Sequence, residues 1–165
     1  MKNLILPVIF NPEKGEFLFE LMTMADVVPV HELEVKTFKS PAALNSFKIL
    51  LENPSAINLV AKMDQRFIGY LTAQRVLNEV HIFNMTVIPD YRRLGIAEML
   101  LNILFRTAQE QGGTEVYLEV RVSNSPAISL YQKVGFNRLS IRKGYYHDNQ
   151  EDAMVMVKLL KRNKS

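Results

Sequence analysis

The spacing of apolar positions changes along this chain, and each change predicts an element. Residues 17 to 22, FLFELM, form a short apolar run rich in aromatics, which predicts a strand. From Thr23 the period lengthens: Val27, Val30, Leu33 or Glu34, and Phe38 recur at helical intervals, and Thr23 with Asp26 resembles a capping box. Pro29 falls in the first turns, where a helix tolerates it. A second helix is predicted from Ser40-Pro41, with Leu44, Phe47, Leu50 and Leu51 on one side and Asn53-Pro54 as its stop. Residues 56 to 63 and 67 to 74 flank Asp64-Gln65 as a hairpin, and a third strand runs from Glu79 to Val87. Residues 96 to 111 predict a long amphipathic helix stopped by Gly112-Gly113. Residues 115 to 122 alternate as a strand, with Val116, Leu118, Val120 and Val122 on one face and Tyr117, Glu119 and Arg121 on the other. A shorter helix from Pro126 to Val134 ends at Gly135, and 136 to 145 and 153 to 160 predict two last strands. The order is βααβββαβαββ, with no repeat or linker, which predicts one α/β domain with a mixed sheet.

Composition narrows the chemistry. The chain has 165 residues, 48% hydrophobic and 22% charged, so it can bury a core of ordinary size. Cysteine is absent, which excludes disulfides, thiolate metal sites and a cysteine nucleophile. The three histidines, His31, His81 and His147, lack ligand-like spacing, so no metal is expected. Net charge is +3, yet Lys158, Lys161, Arg162 and Lys164 lie in the last eight residues without an acid. The remainder holds 16 bases against 17 acids, mixed along the chain, which argues for a solvated basic C-terminus and against specific nucleic-acid binding. The longest apolar stretch, 96 to 105, is broken by Glu98 and Asn102, and the N-terminus has no small-residue cleavage site. A soluble, cytoplasmic protein without a membrane partner is expected.

Candidate chemistry concentrates in the second half. The turn from Pro89 to Ala97 joins a strand to the long helix, whose first N–H groups lack intrahelical partners and favour an anion. Gly95 admits a phosphate to the backbone, small Ala97 avoids crowding it, and Arg92 and Arg93 add charge. The plainer alternative is a surface turn with two solvated arginines. Glu119, in mid-strand, must be paired, solvated by a cleft, or functional, and pattern alone favours an ion pair with Arg121 or a neighbouring strand. Tyr131 falls on the apolar stripe Ala127, Leu130, Tyr131, Val134, as a core tyrosine would. Asn124 and Ser125 before Pro126 are N-cap candidates.

Together these residues carry a resemblance. Asn84-Met85-Thr86-Val87, then Pro89, Tyr91-Arg92-Arg93, Gly95 and Ala97, and later Leu118-Glu119-Val120-Arg121, Ser123-Asn124, Ala127, Leu130-Tyr131 and Gly135-Phe136, resemble the GNAT superfamily of acyl-CoA-dependent N-acetyltransferases. Tyr145-Tyr146 followed by Glu151-Asp152-Ala153 and Met156 resembles its protein N-terminal acetyltransferase branch, most of all the RimI-type family. That family acetylates the N-terminal alanine of a small-subunit ribosomal protein. The likeness runs over residues 17 to 160.

The resemblance implies a GNAT-like mixed, mostly antiparallel central sheet flanked by helices, opening in a V after the strand that ends at Val87. Acetyl-CoA is the implied co-substrate, with no metal. Met85, Thr86 and Val87 are implied to meet its pantetheine and acetyl group through backbone atoms. Arg92, Arg93, Leu94, Gly95, Ile96 and Ala97 are implied to wrap the pyrophosphate, and Asn124 to reach the pantetheine arm. Glu119 is the implied general base and Tyr131 the implied general acid. A carboxylate can take the proton an ammonium must lose before it attacks the thioester, and a phenol can protonate the departing thiolate. Tyr145 and Tyr146 are the implied holders of a peptide backbone, with edge-strand packing as their alternative.

Three features depart from that family: Pro41-Ala42-Ala43 replaces its usual Pro-Trp pair, Gln150 stands where glycine is common, and residues 1–15 form an N-terminal extension. The expected organisation is that extension, a single acyltransferase domain over 16–161, and a basic tail at 162–165. The expected function is acetyl transfer to a protein N-terminal α-amine, with a ribosomal protein beginning with Ala as favoured partner. A small-molecule amine acetyltransferase and a non-catalytic acetyl-CoA-binding or ribosome-associated module are the alternatives.

Overall fold

The computed structural model describes residues 8–11 and 15–161. One eight-stranded sheet runs through the molecule in the order β1-β2-β3-β4-β5-β6-β8-β7. Strands β1 (Val8–Asn11), β2 (Gly15–Leu21), β3 (Ala56–Met63), β4 (Arg66–Val76) and β5 (Glu79–Val87) pair antiparallel in succession. Strand β6 (Glu115–Arg121) pairs parallel with β5, and β8 (Glu151–Leu159) lies antiparallel between β6 and β7 (Asn137–Tyr146). The sheet is mixed and mostly antiparallel, as expected. Its first strand was not, because four residues ending in Asn-Pro carry too short a pattern; residues 8–11 of the expected extension pair with 15–18 at the sheet edge.

Helices α1 (Val27–Thr37) and α2 (Leu44–Glu52) cover one face, and α3 (Ile96–Glu110) and α4 (Ser125–Lys133) the other. Alternation along the central strands feeds both layers. Val60 and Tyr70 join Val27, Val30, Leu33 and Phe47 beneath α1 and α2, while their neighbours Leu59, Ala61 and Leu71 pack on Leu100, Leu101 and Leu104 of α3. Burial on both faces explains why β3 and β4 read as nearly continuous apolar runs. Each fully buried leucine of α3 contributes about 1.5–3 kcal/mol.

Local signals set most boundaries. The box between Thr23 and Asp26 is present, but it caps a single 3-10 turn, Met24–Asp26, and α1 itself begins at Val27. Asp64 and Gln65 both take positive φ, 48° and 64°, as a two-residue hairpin turn of the primed type requires. At the end of α3, the Gly113 N–H donates to the Ala108 carbonyl at 2.7 Å, where a Cβ would lie 2.9 Å from that oxygen. The start of α2 was misplaced: residues 41–43 are not helical, and the helix begins at Leu44. Ser40-Pro41 offers start signals, but the Ala42 N–H is drawn to the Glu34 carboxylate at 3.0 Å, which keeps the segment extended. Lys158 was also misread as part of a solvated tail. It sits in β8, donates to the Val134 carbonyl at 2.7 Å and lies 4.9 Å from the centre of the Phe105 ring. Residues 162–165 of that tail, and 1–7 and 12–14 of the extension, lie outside the described residues.

Candidate active site

Strands β5 and β6 are paired only at Glu79–His81 against Glu115–Tyr117. Beyond that point β5 stays registered with β4 as far as Val87, and β6 with β8 as far as Arg121, but not with each other. The sheet therefore opens between residues 82–87 and 118–121, earlier along β5 than expected. A register shift opposite Thr72/Ala73 leaves Phe83 without a partner just before Asn84-Met85, which bends β5 at the mouth of the opening. Thr86 and Val87 are buried and Met85 packs on the main core, so their backbone edges are what they present to the gap.

After Val87 the chain makes one 3-10 turn, Pro89–Tyr91, and enters α3 through two left-handed residues, Arg93 at φ 65° and Gly95 at φ 81°. Ile96 is buried, and Tyr91, Leu94 and Ala97 pack against the main core. These anchors hold the turn while the backbone of Gly95 stays exposed, and a Cβ there would meet nothing within 4 Å. That is open space beside helix N–H groups, at the positive end of the dipole. Arg92 is tied down: its Nε donates to the Val87 carbonyl at 2.9 Å, joining the turn to the end of β5. Asn124 caps α4, accepting from the Ala127 N–H at 3.3 Å.

Across the opening, β6 presents Tyr117, Glu119 and Arg121 on one face, while Val116, Leu118 and Val120 are buried on the other. Glu119 does not pair with Arg121. Its Oε1 accepts from Arg142 Nη1 at 3.1 Å, a contact that spans β8. Glu119 stands opposite Val155 and Arg142 opposite Ala153, so the small Ala153 side chain leaves room for the crossing. Arg121 instead binds Asp148 at 2.8 Å and Glu151 at 3.0 Å, and its guanidinium lies 3.9 Å from the centre of the Tyr146 ring. The Ser123 hydroxyl and N–H both donate to Glu151, which holds its carboxyl down at about 2.

Tyr131, on α4, is 8% exposed with its ring edge-on to Phe136 at 5.7 Å. Burial pushes its hydroxyl up to about 12, and the nearby Tyr146 hydroxyl adds to the effect. Tyr146 is pushed up to about 12, chiefly by burial, with the Glu119 carboxylate among its neighbouring charges. Tyr146, on β7, lies within electrostatic reach of Glu119 on β6 and Tyr131 on α4, with Tyr145 edge-on to it at 5.2 Å. Sequence reasoning missed Arg142, because nothing in the period-2 pattern of β7 tells that its partner lies two strands away. Among the described residues, no group of three His, Cys, Asp or Glu could hold a metal ion, and no helix is long and apolar enough to cross a membrane.

A mixed sheet that parts between two parallel strands, with an anion-ready turn on one side and a carboxylate and a phenol on the other, is the architecture of an N-acetyltransferase. The chain belongs to the acetyltransferase (GNAT) family, whose profile matches residues 23–136. The [ribosomal protein bS18]-alanine N-acetyltransferase of Salmonella typhimurium is 41% identical over 103 residues, 61% of this chain and 70% of that one. A Bacillus subtilis relative, provisionally given the same activity, is 40% identical over 136 residues, 82% of this chain and 90% of its own length. The crystal structure of the ribosomal-protein-S18-alanine N-acetyltransferase from Escherichia coli superimposes with a TM-score of 0.82 at 28% identity, covering 90% of this chain and 97% of that one.

Proposed function

We propose that the protein transfers the acetyl group of acetyl-CoA to the N-terminal α-amine of a protein, and that the favoured substrate is a ribosomal protein beginning with alanine. The observation that carries this reading is the opening between β5 and β6, with Glu119 on the strand at one side of it and the open, glycine-bearing turn into α3 at the end of the other. The relatives named above point to the same substrate class.

Acetyl-CoA fits the residues present. Its pyrophosphate suits the open backbone at Gly95 with Arg92 and Arg93 beside it, and its thioester arm suits the exposed edge of β5 at Met85 to Val87, with Asn124 across from it. The acceptor arrives as an ammonium and gives one proton to Glu119. Its nitrogen then bonds to the thioester carbonyl carbon, the carbon–sulfur bond breaks, and the sulfur leaves with the electron pair. Tyr131 supplies the proton that completes the thiol, and the second proton of the attacking nitrogen, shed as the amide forms, passes to the tyrosine oxygen and restores the phenol. A phenol held near 12 stays protonated at neutral pH, yet passing its proton to a free thiolate of pKa ~8.5 would be roughly 5 kcal/mol uphill as an isolated step. The transfer therefore accompanies carbon–sulfur cleavage. The absence of cysteine argues for direct transfer without an acyl-enzyme.

Amine acidity favours the α-amino group. At pKa ~7.8 it carries about 400-fold more free base near neutrality than a lysine at ~10.4, so one ordinary carboxylate suffices. Peptides beginning with Ala, and next Ser, should be acetylated, and the same peptides blocked at the N-terminus but containing lysine should react far more slowly. Free alanine should be a poor substrate, because it cannot reach Tyr145 and Tyr146. Equal rates on blocked lysine peptides, or a preference for free small amines in a CoA-release assay, would replace this reading with a small-molecule acetyltransferase. No CoA release from any amine, despite acetyl-CoA binding, would leave a non-catalytic binding module.

A further inference from the structure

Glu34 is the one carboxylate of α1 that faces inward, on the apolar stripe of that helix, and it is 1% exposed. Three donors from three different parts of the chain meet it. Tyr70 of β4 donates to Oε2, while Asn84 of β5 donates to Oε1 at 2.6 Å and the Ala42 N–H, between α1 and α2, donates to the same oxygen at 3.0 Å. Burial and the hydrogen bond to Glu34 push the Tyr70 hydroxyl upward, so this donor keeps its proton. No lysine or arginine pairs with Glu34 among the described residues. A carboxylate buried without a cation is a costly choice for a site that a leucine would fill, unless the tie it makes is itself needed.

The tie fixes the α1–α2 segment to β5, the strand that forms one side of the cleft. Asn84 lies beside the irregularity that bends β5 away from β6, and Ala42 lies in the segment where large side chains are missing, between Pro41 and Ala43. The same segment reaches the β7–β8 turn, where Lys39 Nζ comes within 4.0 Å of Asp148, which holds the Arg121 that lies over Tyr146. We infer that Glu34 is a positioning residue for the acceptor: it clamps the α1–α2 segment to β5 and so fixes the wall against which the amine-bearing substrate lies. This rests on the acetyl-transfer reading above. Glu34 exchanges no proton with substrate; it acts through Ala42 and Asn84.

The test compares wild type with Glu34→Ala, Glu34→Asp and Glu34→Gln, each as the full chain. Three quantities are read: amide hydrogen exchange at Ala42, acetyl-CoA affinity by calorimetry, and kcat and KM for an Ala-initiated peptide. Glu34→Asp keeps the charge but is one methylene too short to reach all three donors; Glu34→Gln keeps an oxygen for Ala42 and Asn84 and an N–H to offer the Tyr70 oxygen. The expected result is loss of Ala42 protection and a peptide KM raised at least about tenfold in Glu34→Ala and Glu34→Asp, with acetyl-CoA affinity within about twofold and Glu34→Gln near wild type on every measure. If Glu34→Ala does not fold, Glu34→Asp carries the same expectation. Retained Ala42 protection in the short variants overturns the positioning role whatever the acceptor, and so does a fall in acetyl-CoA affinity and kcat that merely follows lost stability. A wild type that acetylates no peptide overturns the acceptor reading alone.

Discussion

Glu119 and Tyr131 are titratable groups set apart by where the fold puts them. Glu119 is partly open to solvent and held by Arg142, whereas Tyr131 is enclosed with its hydroxyl pushed up to about 12. Under the proposed mechanism the first receives a proton and the second keeps one until it is drawn. Glu119→Gln and Tyr131→Phe should each lower kcat by about 10² or more while acetyl-CoA affinity by calorimetry changes little. Near wild-type turnover in either would reassign that role. With the Tyr131 hydroxyl pushed up to about 12, the alkaline limb of the residual kcat should be the same in Tyr131→Phe and wild type below about pH 11, and a fall near pH 10 that only the wild type shows would mean the hydroxyl is not held enclosed. The candidacy of both residues was legible as motif spacing, but Glu119 in mid-strand and Tyr131 on an apolar stripe looked like ordinary structural residues until their surroundings were seen. The pairs Arg142 with Glu119 and Asn84 with Glu34 lie 23 and 50 positions apart, and no local pattern marks them.

Among the elements, the strand–turn–helix from β5 into α3 is the proposed cofactor side, and two glycines, one in that turn and one on β4 beside the end of β5, answer to different constraints. At Gly95 a side chain has space but not the right backbone, since φ is 81°. Gly95→Glu should cost about 1–2 kcal/mol in stability through that strain, and should weaken acetyl-CoA by at least tenfold because its carboxylate enters the proposed pyrophosphate space. Unchanged affinity would remove the turn from the binding site. At Gly69 the backbone is ordinary, but a Cβ would lie 2.9 Å from the Thr86 carbonyl oxygen and 3.2 Å from Val87. Gly69→Ala should therefore push β4 from the end of β5 and lower stability by about 1–3 kcal/mol in urea unfolding. Most element boundaries fell within two residues of their sequence signals because caps and turns are local chemistry. The start of α2 did not, since a carboxylate eight residues earlier competes for the Ala42 N–H.

At the scale of the molecule, four tyrosines, two of them buried and two half-buried, should weaken the fold at alkaline pH. Tyr131, Tyr146 and Tyr117 are pushed up to about 12 and Tyr70 is raised as well, the causes being burial for the first two and for Tyr70, and the Glu115 hydrogen bond for Tyr117. A folded pKa above the unfolded value of ~10 means that the folded state holds its protons more tightly; the stabilisation is complete below pH ~10 and is lost as pH rises through about 12. The urea midpoint should thus fall progressively above about pH 10, and Tyr131→Phe should flatten that decline, if not its starting value. A midpoint independent of pH between 9 and 11.5 would contradict the burial and hydrogen bonding that hold these protons.

The sequence by itself determined the order of elements after residue 15, the hairpin at Asp64-Gln65, the glycine-bearing turn between β5 and α3, and the alternation that puts Tyr117, Glu119 and Arg121 on one face of β6. Those properties follow from period, turn chemistry and residue type, which act over a few positions along the chain. Tertiary structure alone decided where β5 and β6 part, which cation Glu119 takes, how far Tyr131 is enclosed, and that Glu34 joins three segments. Such features depend on distances between residues remote in sequence, and a chain's local preferences carry no record of them.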